Sequence, residues 1–570
     1  MDDGADVVRQ AATLVGEDLA GRIGSWVADD PDPVTRTEVH ELITTGDADG
    51  LVDRFGARLE FGTAGLRGAL GAGPNRMNRL VVRHAAAGLM AHLPPGARVV
   101  VGRDARHGSR DFADDTARVV AAAGGTALVL PGPNPTPLVP FAVGHLGADA
   151  GVMVTASHNP PQDNGYKVYL GDGAQIVPPV DAEIATRIDQ VAAGGPVPLA
   201  EPDADSIVEV GPTILAAYLD AVARCRLVPD APGVAVVYTA MHGVGRDLLV
   251  AAFERVGFAP PVQVDDQVDP DPDFPTVSFP NPEEPGALDH AVAVAERAGS
   301  VLVIAHDPDA DRLGIAVLDR GRWRVLTGNE IGALLGDHIL ANTAGDDRMV
   351  ATTIVSSRLL SRLAGAEGVR YVDTLTGFKW IARAADGADP PSRLVFGYEE
   401  ALGYAVSPEV RDKDGITAAV VFVELAGVLA DQGRTVLDRL DDLAVEHGLH
   451  VTDTWAVRFD GPDAGRQMAA VMETVRDAAP TELAGMAVTR VHDYLTGDDD
   501  LPPTDAVLLE LGDRARVLVR PSGTEPKAKL YLEVMAPTSR TTLAADRDAA
   551  RRTIGSLRSA LAARLGLDPA

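Results

Sequence analysis

The chain holds a single cysteine, Cys225, and only five lysines against 46 arginines. Aromatic residues make up 4% of it, and no apolar run approaches the ~20 residues that a membrane helix needs. One thiol cannot close an internal disulfide, so no oxidised framework is available and a reducing compartment is expected. The opening Met1-Asp2-Asp3-Gly4 is acidic and lacks a signal-peptide pattern, which makes a soluble, cytoplasmic protein with no membrane partner the expectation. Basic charge is also scarce. A formal net charge of −31 over 570 residues repels polyanions and argues against nucleic acid as a partner. A local basic cleft for a small anionic substrate is still allowed.

The five lysines are Lys167, Lys379, Lys413, Lys527 and Lys529, and each lies in a Gly-, Ser- or Asp-rich stretch that reads as a loop. A compact, titratable ammonium is not replaceable by arginine, so these positions are candidate site residues.

Hydrophobic residues make up 46% of the chain and charged residues 23%, the composition of a globular enzyme, and the length suits roughly four domains of ~150 residues. Residues 1–55 read as an N-terminal helical extension. Within it Asp32-Pro33 opens a helix running to about Ile43, and Trp26 packs as an anchor. From about residue 60, short Val/Ile/Leu strands alternate with alanine-rich helices. This βαβ rhythm predicts α/β architecture with largely parallel, covered sheets. The expected organisation is three mixed α/β domains at 56–205, 206–325 and 326–450, followed by a smaller α+β domain at 451–570. The C-terminal Ile554, Leu557, Leu561 and Leu565 recur at helical spacing among arginines and predict an amphipathic surface helix.

The serine of Thr155-Ala156-Ser157-His158-Asn159-Pro160 follows the apolar strand Gly151-Val152-Met153-Val154, and Pro160-Pro161 is expected to forbid a quick return to helix or sheet. Ser157 is thus presented at a strand end, where open α/β sheets bind ligands. In extended backbone His158 points away from Ser157, and there is no Gly-x-Ser-x-Gly elbow, so a Ser-His-Asp hydrolase is disfavoured. The acidic loop Asp307-Pro308-Asp309-Ala310-Asp311-Arg312 lies between two apolar strands. Alternate side chains of extended backbone share a face, which brings Asp307, Asp309 and Asp311 together. Such convergence needs a cation, and hard oxygen ligands suit Mg²⁺. A calcium EF-hand is excluded, because the sixth loop position is Arg312 and the twelfth is Leu318.

Arg520-Pro521-Ser522-Gly523-Thr524 and Lys527, between two strand-like runs, form a plausible cradle for a phosphate that does not react. Gly397-Tyr398-Glu399-Glu400-Ala401 offers carboxylates to sugar hydroxyls, and Thr374-Leu375-Thr376-Gly377-Phe378-Lys379 follows another strand. Near the start, the Gly-rich Phe61 to Gly68 stretch carries Arg67 at its centre. A hydroxyl, a cation site and a lysine suggest phosphoryl chemistry through a serine.

These four loops, in this order, closely resemble the α-D-phosphohexomutase superfamily of phosphoglucomutases and phosphomannomutases. The N-terminal extension, Glu60-Phe61-Gly62-Thr63-Ala64-Gly65-Leu66-Arg67-Gly68 and Lys527-Ala528-Lys529-Leu530-Tyr531 are most similar to the branch of phosphopentomutase-type enzymes and glucose 1,6-bisphosphate synthases. The resemblance implies a heart-shaped, four-domain monomer around a central cleft. It implies an isomerase that interconverts hexose 1- and 6-phosphates, with glucose 1,6-bisphosphate as activator. Phosphopentomutase and sugar bisphosphate synthase activities are the alternatives. It also implies that Ser157 is a phosphoserine, and that Mg²⁺ sits between its phosphate and Asp307, Asp309 and Asp311. By matched position, Arg67, Lys167 and Arg312 surround the reacting phosphate, which Lys413 joins. Lys167 leads as the proton-transfer residue, with His158 second. Thr376, Gly377 and Lys379 lie near the substrate, Glu399 binds sugar hydroxyls, and Arg520, Ser522, Gly523 and Thr524 grip the distal phosphate. One departure stands out: many phosphoglucomutases have serine where this chain has Ala401, which makes pentose phosphates credible.

Overall fold

The computed structural model describes residues 3–459, 463–496, 501–522 and 527–567. They fall into two compact units, Met1–Leu326 with Gly403–Glu424, and Thr327–Leu402 with Leu425–Ala570.

The first unit opens on four helices, Asp3–Val15, Glu17–Asp29, Pro33–Thr45 and Ala48–Phe55. The third starts as its sequence dictates: Asp32 accepts from the Val34 amide at 2.9 Å, and Pro33 occupies the first turn, where its missing N–H costs nothing. Trp26 is buried and meets Phe55 edge-on at 5.5 Å, so it anchors this small helical core.

A six-stranded sheet follows, in the order Leu66–Ala69, Asp163–Leu170, Ala150–Val154, Arg98–Arg103, Thr126–Val129, Ile207–Glu209. Its last four strands pair in parallel, but Asp163–Leu170 runs antiparallel to both Ala150–Val154 and Leu66–Ala69. The sheet is mixed rather than largely parallel. Nor does Pro160-Pro161 delay the chain: the Asp163 amide donates to the Pro160 carbonyl at 3.1 Å, and a strand begins at once. Proline removes only its own donor, so it can close the turn of a hairpin without affecting residues two places on. In consequence Lys167 stands on a strand, opposite Met153, and not in a loop. Lys379, Lys527 and Lys529 likewise lie in a helix and a strand; only Lys413 is in a loop.

The unit's second sheet has the order Arg322–Val325, Gly314–Asp319, Leu302–Ala305, Val236–Thr239, Val262–Gln263. Leu302–Ala305 is parallel to Val236–Thr239 and antiparallel to Gly314–Asp319, so the acidic loop is the crossing of a hairpin.

In the second unit, Arg370–Thr374 and Arg393–Glu399 flank Arg348–Thr353, both in parallel. An antiparallel sheet, Leu449–Arg458, Lys527–Ala536, Ala515–Pro521, Val507–Leu511, Arg490–Asp493, packs against Ala464–Asp477 and Leu543–Leu565. The last of these is the amphipathic helix expected from its apolar spacing, with Ile554, Leu557 and Leu561 buried. Among the described residues no single helix is long and apolar enough to cross a membrane.

Candidate active site

The wholly buried strand Ala150–Val154 delivers the serine loop. Ser157 adopts φ 54°, a left-handed conformation, and its amide donates to Thr155 Oγ1 at 2.8 Å. That twist overturns the extended geometry expected from sequence. His158 does not point away: its Nδ1 lies 3.2 Å from Ser157 Oγ. Nor is the serine on the surface, since only 3% of it is exposed.

The loop is held from outside by Arg106, a residue that the sequence reading passed over. The Arg106 guanidinium donates to the carbonyls of Ser157 (2.6 Å), Asn159 (2.5 Å), Pro160 (2.9 Å) and Asp163 (3.3 Å). Its Nε lies 3.4 Å from the buried Asp104, which accepts from Ser109 Oγ and the Arg106 amide. The guanidinium also sits over the Phe274 ring at 4.9 Å. A signal was present in Gly102-Arg103-Asp104-Ala105-Arg106, a strand end followed by charges too close together to be casual.

The three aspartates converge, though not by alternation in a strand. Ala310 takes φ 54° and its amide donates to the Asp307 carbonyl at 2.9 Å, so a turn gathers the carboxylates. One oxygen from each lies within 4.8 Å of the others, and all three side chains are fully buried. Pro308 packs so closely on Gly243 that a Cβ there would stand 2.3 Å from its Cα, which ties the loop to the neighbouring strand end.

The partners of these carboxylates are specific. Asp307 Oδ2 accepts from Ser157 Oγ at 2.8 Å, and Oδ1 from the Arg312 amide at 3.1 Å. Asp309 Oδ2 accepts from Thr136 Oγ1 at 2.6 Å and Lys167 Nζ at 2.8 Å. Asp311 Oδ2 accepts from Lys167 Nζ at 2.8 Å, with Lys413 Nζ at 3.5 Å. Asp309 Oδ1 and Asp311 Oδ1 are buried without any donor. Burial first, then repulsion from Asp309 and Asp311, pushes Asp307 well above the ordinary carboxylate range. Burial works against the charge of Asp309 too, but Lys167 and the hydrogen bonds hold it below its usual value. Two orphaned carboxylate oxygens beside a third, electrostatically strained carboxylate suit a hard divalent cation such as Mg²⁺.

Cationic groups ring this cluster. Arg312 Nε lies 3.8 Å from Asp307. Arg67 reaches Asn159 Oδ1 at 3.4 Å and feels the charges of Asp309, Arg312 and Asp311. Burial, then Arg312 and Arg67, holds the His158 imidazole well below its usual range. Lys413 is seated by Asp412, whose buried carboxylate accepts from Tyr169 Oη, Gln175 Nε2 and the Lys413 amide, each at 2.8 Å. The first unit therefore brings together Ser157, His158, Lys167, Asp307, Asp309, Asp311, Arg312, Arg67 and Lys413. Sequence reasoning missed Thr136 and Asp412 as well as Arg106.

The second unit carries the other predicted residues. Thr376, Gly377 and Lys379 follow strand Arg370–Thr374, and Glu399 ends strand Arg393–Glu399. Both strands run parallel to Arg348–Thr353, so both segments leave from the carboxyl edge of one sheet, the usual ligand edge. Glu400 is fixed there by Thr353 Oγ1 at 3.2 Å and Ser356 Oγ at 3.1 Å. Arg520 sits at the end of strand Ala515–Pro521, opposite Lys529, and the Ser522 amide donates to the Lys527 carbonyl at 2.7 Å. Tyr531 links the two loops. Burial raises its phenol, Glu400 and Glu399 push it the same way, and Arg520 opposes them. Gly523 and Thr524 lie outside the described residues.

Known proteins match along nearly the whole chain. Family models match in order: phosphoglucomutase/phosphomannomutase alpha/beta/alpha domain I over residues 58–194, domain II over 216–321, domain III over 327–446, and the C-terminal domain over 456–549. A Haemophilus influenzae protein named as a probable phosphomannomutase is 43% identical over 80% of this chain and 93% of its own. Mouse phosphopentomutase is 37% identical over 90% of this chain and 89% of its own. The crystal structure of a phosphoglucomutase/phosphomannomutase family protein from Burkholderia thailandensis shares the fold, with a TM-score of 0.66, 20% identity, and coverage of 88% of this chain and 97% of that one.

Proposed function

The chain belongs to the phosphoglucomutase/phosphomannomutase family, and on that premise we propose that it interconverts hexose 1- and 6-phosphates, of glucose first and of mannose second, through a phosphorylated Ser157. Its enzyme type, a phosphomutase and hence an isomerase, follows from the family and its relatives. The observation that carries the serine assignment is the Ser157 hydroxyl, 2.8 Å from Asp307 in a carboxylate cluster with two unpartnered oxygens.

Asp307, Asp309 and Asp311 would hold Mg²⁺, which when bound supplies positive charge for the transferring phosphoryl group. Arg312 and Arg67 add fixed positive charge on the same side, where charge on the equatorial phosphoryl oxygens has to be balanced. The Ser157 Oγ–P bond breaks as the free terminal hydroxyl of a sugar 1-phosphate bonds to phosphorus. The hydroxyl proton passes to His158, whose imidazole is held uncharged, or to Lys167, our leading candidate, once its ammonium, which donates to Asp309 and Asp311, has released a proton of its own. The product of this half is a sugar 1,6-bisphosphate. After it reverses end for end, its 1-phosphoryl group returns to Ser157 and the 6-phosphate is left. Glucose 1,6-bisphosphate would serve as activator because it phosphorylates Ser157 directly. Lys413 is assigned to the reacting phosphate, Glu399 to sugar hydroxyls, Thr376, Gly377 and Lys379 to substrate contacts, and Arg520 and Ser522 to the distal phosphate. These assignments rest on residue chemistry and on the family pattern.

The test is a coupled assay for glucose 6-phosphate from glucose 1-phosphate, with Mg²⁺ and trace glucose 1,6-bisphosphate. Isomerisation of no hexose or pentose phosphate would remove the proposal. A second reading, interconversion of pentose 1- and 5-phosphates, is favoured by Ala401, which offers no hydroxyl to a hexose ring. Ribose 1-phosphate in the same assay decides between them: a higher kcat/KM for ribose keeps the chemistry and changes the substrate.

A further inference from the structure

In the second unit one turn, residues 354–358, joins the sheet that carries Arg520 to the strand that ends on Glu399. On the sheet, Arg516 stands opposite Glu533, Leu518 opposite Tyr531, and Arg520 opposite Lys529. Alternate side chains of a strand share a face, so these three pairs lie in a row. Four residues of strand at ~3.3 Å each put Arg516 and Arg520 about 13 Å apart.

The first pair grips the turn. Arg516 is buried, and its Nε donates to Glu533 Oε2 at 2.7 Å. Its other nitrogens donate to the carbonyls of Ile354, at 3.2 Å, and Ser356. Glu533 Oε1 accepts from Ser357 Oγ at 2.7 Å and from the Arg358 amide at 3.0 Å. A buried ion pair with this many fixed partners holds one geometry, because a shift would leave charge unpaired away from water. The second pair adds an apolar seat: Leu518 and Tyr531 share a buried cluster with Ile354 and Val355.

The same turn grips the sugar loop. Glu400 Oε2 accepts from Ser356 Oγ at 3.1 Å and from Thr353 Oγ1 at 3.2 Å. Asn329 Oδ1 accepts from the Ser357 amide at 2.7 Å and from Tyr398 Oη at 3.1 Å. Glu399 therefore lies between two anchored neighbours, and both anchors end on the turn. The loop cannot slide toward helix Gly328–Asn342 either, because a Cβ on Gly328 would stand 1.8 Å from the Glu400 carbonyl oxygen. Ser356 is the narrowest point of this path. Its carbonyl meets Arg516 and its hydroxyl meets Glu400.

We propose that Ser356 is a positioning residue that fixes the span between Glu399 and Arg520, and so selects phosphosugars by the separation of their hydroxyls from their phosphate. This rests on the roles assigned above to Glu399 and Arg520. A rigid span favours one separation, whereas a loose one must be ordered by each substrate. Hexose and pentose phosphates differ in that separation.

The test is calorimetric titration of glucose 1,6-bisphosphate, and separately of inorganic phosphate, into the full-length parent, Ser356→Ala, Glu400→Ala and the double variant. Inorganic phosphate needs only the cations, so Ser356→Ala should bind it within about twofold of the parent, which also shows that the variant is folded. Its affinity for the bisphosphate should fall about tenfold. Because Ser356 acts through Glu400, the double variant should bind no more weakly than Glu400→Ala alone. Glu400→Gln, which keeps an acceptor for the serine, should retain most of the parent's affinity. In turnover, the parent's preference between glucose 1-phosphate and ribose 1-phosphate, as a ratio of kcat/KM, should shrink at least about threefold in Ser356→Ala. Equal losses for phosphate and bisphosphate, unchanged bisphosphate affinity, additive losses in the double variant, or an unchanged preference would each overturn the proposal. A parent that binds no bisphosphate would overturn the functional reading, and this inference with it.

Discussion

Ser157 Oγ lies 2.8 Å from Asp307 Oδ2 across 150 positions of sequence. The hydroxyl that would carry phosphate is therefore in direct contact with the carboxylates that would carry the metal. Ser157→Ala should lower turnover by at least about 10³-fold. It removes the hydroxyl's contacts to Asp307 and His158, so the unfolding free energy should fall by about 1–3 kcal/mol. Near-normal turnover in a folded variant would show that the phosphoryl group takes another route.

Arg106 fixes the serine loop through four carbonyl oxygens, which makes it a positioning residue. Arg106→Ala should cut kcat by about 10²-fold while KM moves far less, because misplacement of the loop acts on the chemical step. Arg106→Lys should rescue little, since an ammonium cannot span the carbonyls that a planar guanidinium reaches. Full rescue by lysine would mean that only the charge near Asp104 matters.

The sequence carried the motif loops more faithfully than their geometry. Alternating acids between two apolar strands were enough to expect a converging triad, yet the convergence comes from the left-handed Ala310 and not from strand alternation. The same error recurs at Ser157, where a positive φ brings His158 to the hydroxyl. Non-glycine residues rarely adopt such backbone, and nothing in a serine or an alanine announces it. Strand positions were legible from β-branched runs, but the antiparallel return after Pro160-Pro161 was not, because proline limits a residue's donor and not its neighbours' pairing. Thr136 and Asp412 went unseen because they act on residues far away in sequence, and one chain alone reveals no such partner; Arg106 carried a local signal in the charges after its strand end, but nothing there named the distant carbonyls it holds.

Metal dependence follows from Asp309 Oδ1 and Asp311 Oδ1, which lack donors. Chelation should abolish turnover, and Mg²⁺ should restore it. Mn²⁺, followed by its electron paramagnetic resonance, should bind at one site per chain and be lost in Asp309→Ala. Unchanged Mn²⁺ binding in that variant would place the metal elsewhere.

Acid sensitivity should arise in the second unit at Glu533. Burial opposes its charge, but Arg516 at 2.7 Å, His450 at 2.8 Å and Ser357 at 2.7 Å hold it below the ordinary glutamate range. A depressed folded-state pKa stabilises above the unfolded value, so this contribution is present at neutral pH and is lost as pH falls below about 4.5. Glu533→Gln should destabilise by about 3–5 kcal/mol at pH 7, leaving Arg516 buried and unpaired, and should flatten the acid limb of the stability profile. A variant with the same acid limb as the parent would assign that limb to other groups.

The most direct measurement is the mass of the peptide containing Ser157, after the protein is mixed with glucose 1,6-bisphosphate and Mg²⁺ and then with glucose 1-phosphate. Phosphoryl transfer through this serine requires the peptide to gain one phosphoryl group, located at Ser157, and to exchange it with isotopically labelled substrate at the rate of turnover. Turnover with no phosphate on Ser157, or with phosphate that does not exchange, would contradict it.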